Sequence, residues 1–180
     1  MGDTLIIRPA SRADAAAIAS IYAHYVRNGV ISFELDPPDV QEMAARIDLI
    51  LPHYPFLAAE RDGVLIGYAY AGKLYERPAY RWSAEATVYV AHDQHRQGIG
   101  RALYTTLISA LKEQGFQTII GKITLPNPAS VTLHEMFGFV PSGVLAKVGF
   151  KHGEWHDVGL YQLDLGSRPA NPEETRSFGG

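Results

Sequence analysis

The sequence predicts an α+β domain built on a largely antiparallel sheet with one parallel pairing. Three observations carry that reading. Strand-like Ala84 to Val90, a glycine-bearing turn and a helix-period segment through Leu111 follow one another near mid-chain. Two apolar runs meet at Asp62-Gly63, a strong hairpin signal. Strand and helix periods then succeed one another as β-α-α-β-β-β-α-β-α-β-β, placing the parallel pair around the central helix.

Leu5-Ile6-Ile7-Arg8, ended by Pro9, reads as the first strand. Ser11 with Asp14 three residues on resembles a capping box, and Ile18, Ile21, Tyr22 and Tyr25 give the following helix one apolar face. Asn28-Gly29 ends it. Phe33 lies in the connecting segment, either as core or as the wall of a pocket. Asp36 before Pro37 is read as the N-cap of a second helix carrying Val40, Met43, Ala44, Ile47 and Leu51, stopped by Pro52. Phe56–Glu60 and Val64–Ala71 are the hairpin strands. In the strand Ala84–Val90, Glu85, Thr87 and Tyr89 point to one face and the alanines and valines to the other. Leu103, Leu107, Ala110 and Leu111 form the apolar stripe of the central helix, closed at Gln114-Gly115-Phe116. Thr118–Thr124 is a further strand. Asn127 caps a last helix with Pro128 at its first position and Leu133, Met136 and Phe137 as its apolar face, closed by Gly138. Val144–Phe150 and Trp155–Leu165 form a final hairpin around His152-Gly153. One domain is expected over residues 1–165, and a poorly ordered tail rich in Pro, Gly and polar residues over 166–180.

Of the 180 residues, 47% are hydrophobic and 19% charged, an ordinary globular balance. A net charge of −3 offers nothing to nucleic acid or to an anionic membrane through bulk electrostatics. No apolar run approaches the roughly 18 residues that span a bilayer, and no basic-then-apolar leader is visible. The absence of cysteine excludes disulfides, thiolate metal sites and a cysteine-bound intermediate, and is compatible with a cytoplasmic location. His92-x-x-His95 lacks a helical setting and further ligands, and His134-Glu135 lacks the second histidine of a zinc-protease motif, so no metal site is expected.

Two stretches carry chemistry. The loop Gln94-His95-Arg96-Gln97-Gly98-Ile99-Gly100-Arg101 leads into the central helix, whose first N–H groups and dipole make an anion site. Glycine admits a phosphate to the backbone, and Arg96 and Arg101 flank it with charged donors. The spacing fits a pyrophosphate cradle and an ordinary βα turn alike; it lacks the Walker ending and the third Rossmann glycine. The second stretch, Lys73–Trp82, crowds Tyr75, Arg77, Tyr80, Arg81 and Trp82 around Pro78. It is either a surface loop with aromatic packing or a substrate loop for a carboxylate or other oxyanion.

Val88-Tyr89-Val90, Arg96-Gln97-Gly98-Ile99-Gly100 and Asn127 with Leu133-His134-Glu135-Met136-Phe137-Gly138-Phe139 resemble the GCN5-related N-acetyltransferase (GNAT) superfamily over nearly the whole chain. Tyr80-Arg81-Trp82-Ser83-Ala84-Glu85, Leu125-Pro126-Asn127 and Gly149 to Gly159 are similar to its phosphinothricin and methionine sulfoximine acetyltransferases. His95 stands where the superfamily loop usually opens with Gln or Arg, and is not counted as a ligand.

The resemblance implies a mixed, mostly antiparallel sheet flanked by about four helices, and a site for acetyl-CoA as co-substrate. Backbone groups of Val88 and Val90, with Tyr89 between them, would pair with the pantetheine arm as an added strand. N–H groups of Gln97, Gly98, Ile99, Gly100 and Arg101 would hold the pyrophosphate, with Arg96 beside them and Asn127 touching the cofactor. Glu85 is expected to deprotonate the acceptor ammonium, directly or through water. His134 occupies the position where many members carry a proton-donating tyrosine. It lies about 100° round the helix from Leu133 and need not be core, and its ordinary pKa near 6.5 suits proton transfer. It is open to the roles of acid, second base or cofactor contact. The implied acceptor is a small amino acid with a tetrahedral γ-oxyanion-type group, such as L-phosphinothricin, methionine sulfoximine or methionine sulfone. Phe33, Tyr75, Arg77, Tyr80, Glu85 and Thr87 are its expected pocket. Direct transfer in a ternary complex is expected, and a homodimer with Trp155 in the contact region. Acetylation of another small amine and a non-catalytic acyl-CoA sensor are the alternatives.

Overall fold

The computed structural model describes residues 4–179. Its strands are β1 (Leu5–Pro9), β2 (Phe56–Arg61), β3 (Val64–Lys73), β4 (Ser83–Val90), β5 (Thr118–Leu125), β6 (Val140–Lys151) and β7 (Glu154–Asp164). Its helices are α1 (Ala15–Asn28), α2 (Val40–Ile50), α3 (Ile99–Glu113) and α4 (Pro128–Met136). All seven strands share one sheet in the order β1-β2-β3-β4-β5-β7-β6. Every neighbouring pair is antiparallel except β4 and β5. None of the described helices is long and apolar enough to cross a membrane.

Local chemistry accounts for most boundaries. The Asp14 carboxylate accepts from the Ser11 N–H at 2.7 Å and from Arg8 at 2.8–2.9 Å, so the box before α1 is also pinned to β1. Asp62-Gly63 and His152-Gly153 both adopt the paired left-handed conformations of tight hairpin turns. Phe116 N–H bonds back to Leu111 C=O and Gly115 N–H to Lys112 C=O, closing α3 by the two bonds expected of a glycine C-cap.

Four expectations are corrected. α2 starts at Val40 with Asp39 as its cap, the carboxylate accepting from Glu42 N–H at 2.8 Å, rather than at Asp36-Pro37. Pro38 pushes the residue before it out of the helical region, so the chain turns helical only past both prolines. In α4 the buried side chain is His134, at 4% exposure, while Met136 is 57% exposed. The tail does not lie free. Trp82 Nε1 donates to Glu173 C=O at 2.8 Å, Arg81 pairs with Glu174 at 2.8 Å, Gln114 Nε2 donates to Arg176 C=O at 2.7 Å, and Phe178 packs on the core. Arg81 is thereby committed to the tail and is not offered to an oxyanion.

Each face of the sheet has its own core. Leu103, Tyr104, Leu107 and Leu111 of α3 pack on one face with Ile119, Ile123 and Phe139. Ile18, Tyr22 and Val26 of α1 and Met43 and Ile47 of α2 pack on the other with Phe56 and Tyr68. Tyr68 and Tyr89 continue this second core as a run of close aromatic rings.

Candidate active site

β4 and β5 run side by side only from Ser83–Glu85 against Thr118–Ile120. Beyond Glu85 they part. The β3 ladder fixes which backbone groups face that opening: Ala91 N–H bonds to Ile66 C=O at 2.8 Å, so by alternation Tyr89, Thr87 and Glu85 also turn their backbone groups to β3. Ala86, Val88 and Val90 turn theirs into the gap. Strand-edge donors and acceptors at Val88 and Val90 therefore stand ready for an extended ligand. Tyr25 reaches the same edge: its hydroxyl donates to Val90 C=O and lies 2.7 Å from His95 Nε2.

The glycine loop ends at the open mouth of the gap. Arg96 and Gly98 are left-handed, at φ 61° and 77°. Gly98 caps α3, leaving the N–H groups of Ile99, Gly100 and Arg101 without intrahelical acceptors. A β-carbon on Gly98 would meet nothing within 4 Å, so its glycine answers to backbone conformation and open space above the helix start. Arg61 holds the loop by donating to Gln97 Oε1. Gly100 lies between Leu133 of α4 and Val90 of β4, which brings the loop, the strand edge and α4 together. Asn127 Oδ1 accepts from Ser130 N–H at 3.1 Å, and its amide NH2 has no partner among the described residues. These groups fit a phosphate-bearing, extended molecule.

Glu85 sits where the strands separate. Its carboxylate is 2.6 Å from Lys122 Nζ of β5, with both side chains about one-third exposed. Lys122 in turn lies 5.8 Å from the Tyr75 ring centre, and Tyr75 meets Tyr80 edge-on at 4.9 Å. Glu85, Lys122, Tyr75 and Tyr80 thus form one cluster. Thr87 pairs across the ladder with Tyr70, which with Tyr22, Arg46 and Tyr68 lines a cleft of about 100 Å³ on the α1–α2 face. Arg77 is exposed at the start of the short turn Pro78–Tyr80 and joins none of these contacts. Phe33 lies apart, its ring seated on Gly149 and 6.2 Å from the His156 ring.

His134 is enclosed. Its Nδ1 is 2.7 Å from Ser130 C=O, and its Nε2 is 3.0 Å from Tyr104 Oη. A carbonyl only accepts, so the proton sits on Nδ1 and Nε2 receives the Tyr104 hydroxyl. Burial holds the imidazole pKa below its ordinary value and pushes the Tyr104 phenol up, with the Glu85 charge raising the phenol further. His134 is a neutral acceptor behind a tyrosine.

Lys122, Tyr104 and Tyr25 escaped the sequence reading. The alternation that exposed Glu85 applies equally to Lys122, but only the β4–β5 pairing shows that the two meet. His92 stacks on His24 at 4.2 Å, and His95 meets Tyr25.

A strand edge for an extended arm, a helix start for a phosphate and a carboxylate where the strands part fit a group-transfer enzyme that draws on an extended, phosphate-bearing donor. The comparisons agree. Residues 7–160 match the family model described as an acetyltransferase (GNAT) domain. The chain is 44% identical over 170 residues to a phosphinothricin N-acetyltransferase of Streptomyces viridochromogenes, covering 94% of this chain and 92% of that one. It is 46% identical to one of Alcaligenes faecalis, over 90% and 81% of the two chains. A phosphinothricin acetyltransferase of Sinorhizobium meliloti, solved in complex with acetyl-CoA, superposes with a TM-score of 0.91 at 37% identity over 95% and 94% of the chains. The chain belongs to the GNAT acetyltransferase family.

Proposed function

We propose that this chain transfers the acetyl group of acetyl-CoA to the α-amino group of a small amino acid with a tetrahedral γ-oxyanion-type group, of the phosphinothricin or methionine sulfoximine kind. The observation that carries the reading is the parting of β4 and β5, with Glu85 at its apex and the Gly98 helix start at its mouth. Acetyl-CoA supplies the thioester. Val88 and the N–H of Val90 hold its pantetheine arm, the Val90 carbonyl being shared with Tyr25, and the first N–H groups of α3 hold its diphosphate.

Glu85 takes the proton that the acceptor ammonium must lose before its nitrogen can attack. Lys122 now neutralises that carboxylate, so acceptor binding must loosen the pair for Glu85 to act as a base. The Tyr104 hydroxyl and His134 Nε2 form a second path for an amine proton, with His134 as base rather than acid because Nε2 carries no proton. We assign Tyr75 and Tyr80, beside Lys122 and Glu85, to the acceptor pocket, and with them Phe33 and Arg77, which stand outside that cluster and are assigned on the family resemblance. The edge strand β6 and the hairpin it forms expose Val144, Leu145, Phe150 and Trp155, which we assign to a homodimer contact.

The test is CoA release with acetyl-CoA and a panel of amino-acid analogues and other amines. Turnover of the γ-oxyanion analogues is expected, and failure with every amino-acid analogue would sink the reading. Glu85→Gln should lower kcat roughly 100-fold or more with acetyl-CoA affinity retained, in line with the worth of a general base. Near-normal kcat would remove Glu85 from that role.

A further inference from the structure

Lys151 is buried to 3% exposure, and no carboxylate lies within ion-pair distance of it among the described residues. Its Nζ donates instead to two backbone carbonyls, Val26 and Ser32, each at 2.7 Å. Val26 lies in the last turn of α1, where carbonyls have no intrahelical donor and the helix dipole favours a cation. Ser32 belongs to the segment between α1 and α2. Its hydroxyl is 2.7 Å from Tyr22 Oη and accepts from Glu34 N–H at 3.1 Å, and Glu34 is clamped by Arg46. Lys151 C=O is itself 3.0 Å from His156 Nε2, which locks the hairpin end that carries the ammonium.

The residue after Ser32 is Phe33. A β-carbon at Gly149, two residues before Lys151, would lie 2.2 Å from the Phe33 ring, so the ring occupies the space that glycine leaves. The end of β6 thus grips this segment twice, by an ammonium under the backbone and by a bare strand surface under the ring. Desolvating an ammonium whose hydrogen-bond partners are neutral carbonyls is costly, the nearby Glu34 charge offsetting part of that, and an apolar side chain would fill the same volume without the cost. What the charge secures is a fixed path for residues 29–36.

We propose that Lys151 is a positioning residue for acceptor recognition, pinning the Ser32–Phe33 backbone to the hairpin end so that Phe33 stands as a preformed wall of the acceptor pocket. This rests on the reading that Phe33 lines that pocket. Preorganisation of this kind acts on binding of the acceptor and not on the acyl donor, whose contacts lie on β4 and α3.

The decisive variant is Lys151→Met, which keeps the stem and removes the donors. Hydrogen–deuterium exchange in the peptide covering 29–36 should quicken about tenfold or more, and acceptor KM should rise about tenfold, with kcat and acetyl-CoA affinity within about twofold. Unchanged exchange overturns the pinning. Faster exchange with unchanged acceptor KM overturns the link to recognition. Should wild type acetylate no amino-acid analogue, the functional reading fails, and exchange alone decides the pinning. If Lys151→Met does not fold, Gly149→Ala unseats Phe33 while leaving the ammonium in place. It must raise acceptor KM in the same way, and an unchanged KM there overturns the proposal.

Discussion

Gly121 shows how an absent side chain can hold a histidine. A β-carbon there would lie 2.5 Å from His134 Nε2 and 2.6 Å from Cδ2, and the ring has nowhere to go between Tyr104 and Phe139. Gly121→Ala should therefore break the Tyr104–His134 hydrogen bond, cost about 1–3 kcal/mol as an overpacked core does, and lower kcat. An unshifted denaturation midpoint with wild-type kcat would refute it. The same enclosure sets a pH dependence. Because burial lowers the folded pKa of His134, the unfolded chain binds more protons once pH falls below the ordinary value of 6.5. The stability owed to a neutral His134 is thus complete above that pH and declines below it towards the folded pKa. In urea melts between pH 7 and 5, His134→Gln should show a shallower loss of stability than wild type. An identical slope would place the titration elsewhere.

The second helix offers a test of what sets a helix boundary. Asp39 caps it and Asp36 does not, so Asp39→Ala should lower stability by about 1 kcal/mol while Asp36→Ala stays within about 0.5. Equal effects would show that Asp39 is not the residue that caps the helix. Both aspartates precede the same apolar face, and only the steric demand of Pro38 separates them. Elements whose cause is local were legible: the two Asp-Gly and His-Gly hairpins, the Ser11–Asp14 box, the Gly98 start of α3 and the Asn127 cap. Within the site, strand alternation set Glu85 and Thr87 on one face, while the part given to the Val88 and Val90 backbone came from the family resemblance. What escaped depends on partners distant in sequence. Glu174, which occupies Arg81, lies 93 residues further on, and the Lys122 and Tyr104 contacts exist only once β5 and α3 are packed. α4 was misjudged for a related reason: a polar imidazole, satisfied by Ser130 and Tyr104, took the buried place that apolar counting reserved for Met136.

Besides its outer edge at β1, the sheet is unfinished in two places across the domain. One is internal, the wedge between β4 and β5. The other is the outer strand β6, whose residues Val140 to Val148 are exposed. Long apolar edge strands are association surfaces, and here the bulge at Lys147 bends the edge without covering it. Light scattering should give twice the chain mass, and Leu145→Asp with Trp155→Glu should shift it to the monomer. A monomeric wild type would show that this edge is left open.

The docked tail has an optical consequence. The chain has two tryptophans. Trp82 is gripped through its indole N–H by Glu173 and lies under the Arg81 guanidinium at 3.7 Å, whereas Trp155 stands 62% exposed on the hairpin. Emission from the first therefore follows detachment of the chain end from the base of the Tyr75–Tyr80 loop. Emission from the second follows burial of the hairpin. In Trp155→Phe, native fluorescence becomes a single-site gauge of whether filling the acceptor site tightens or frees the C-terminal segment.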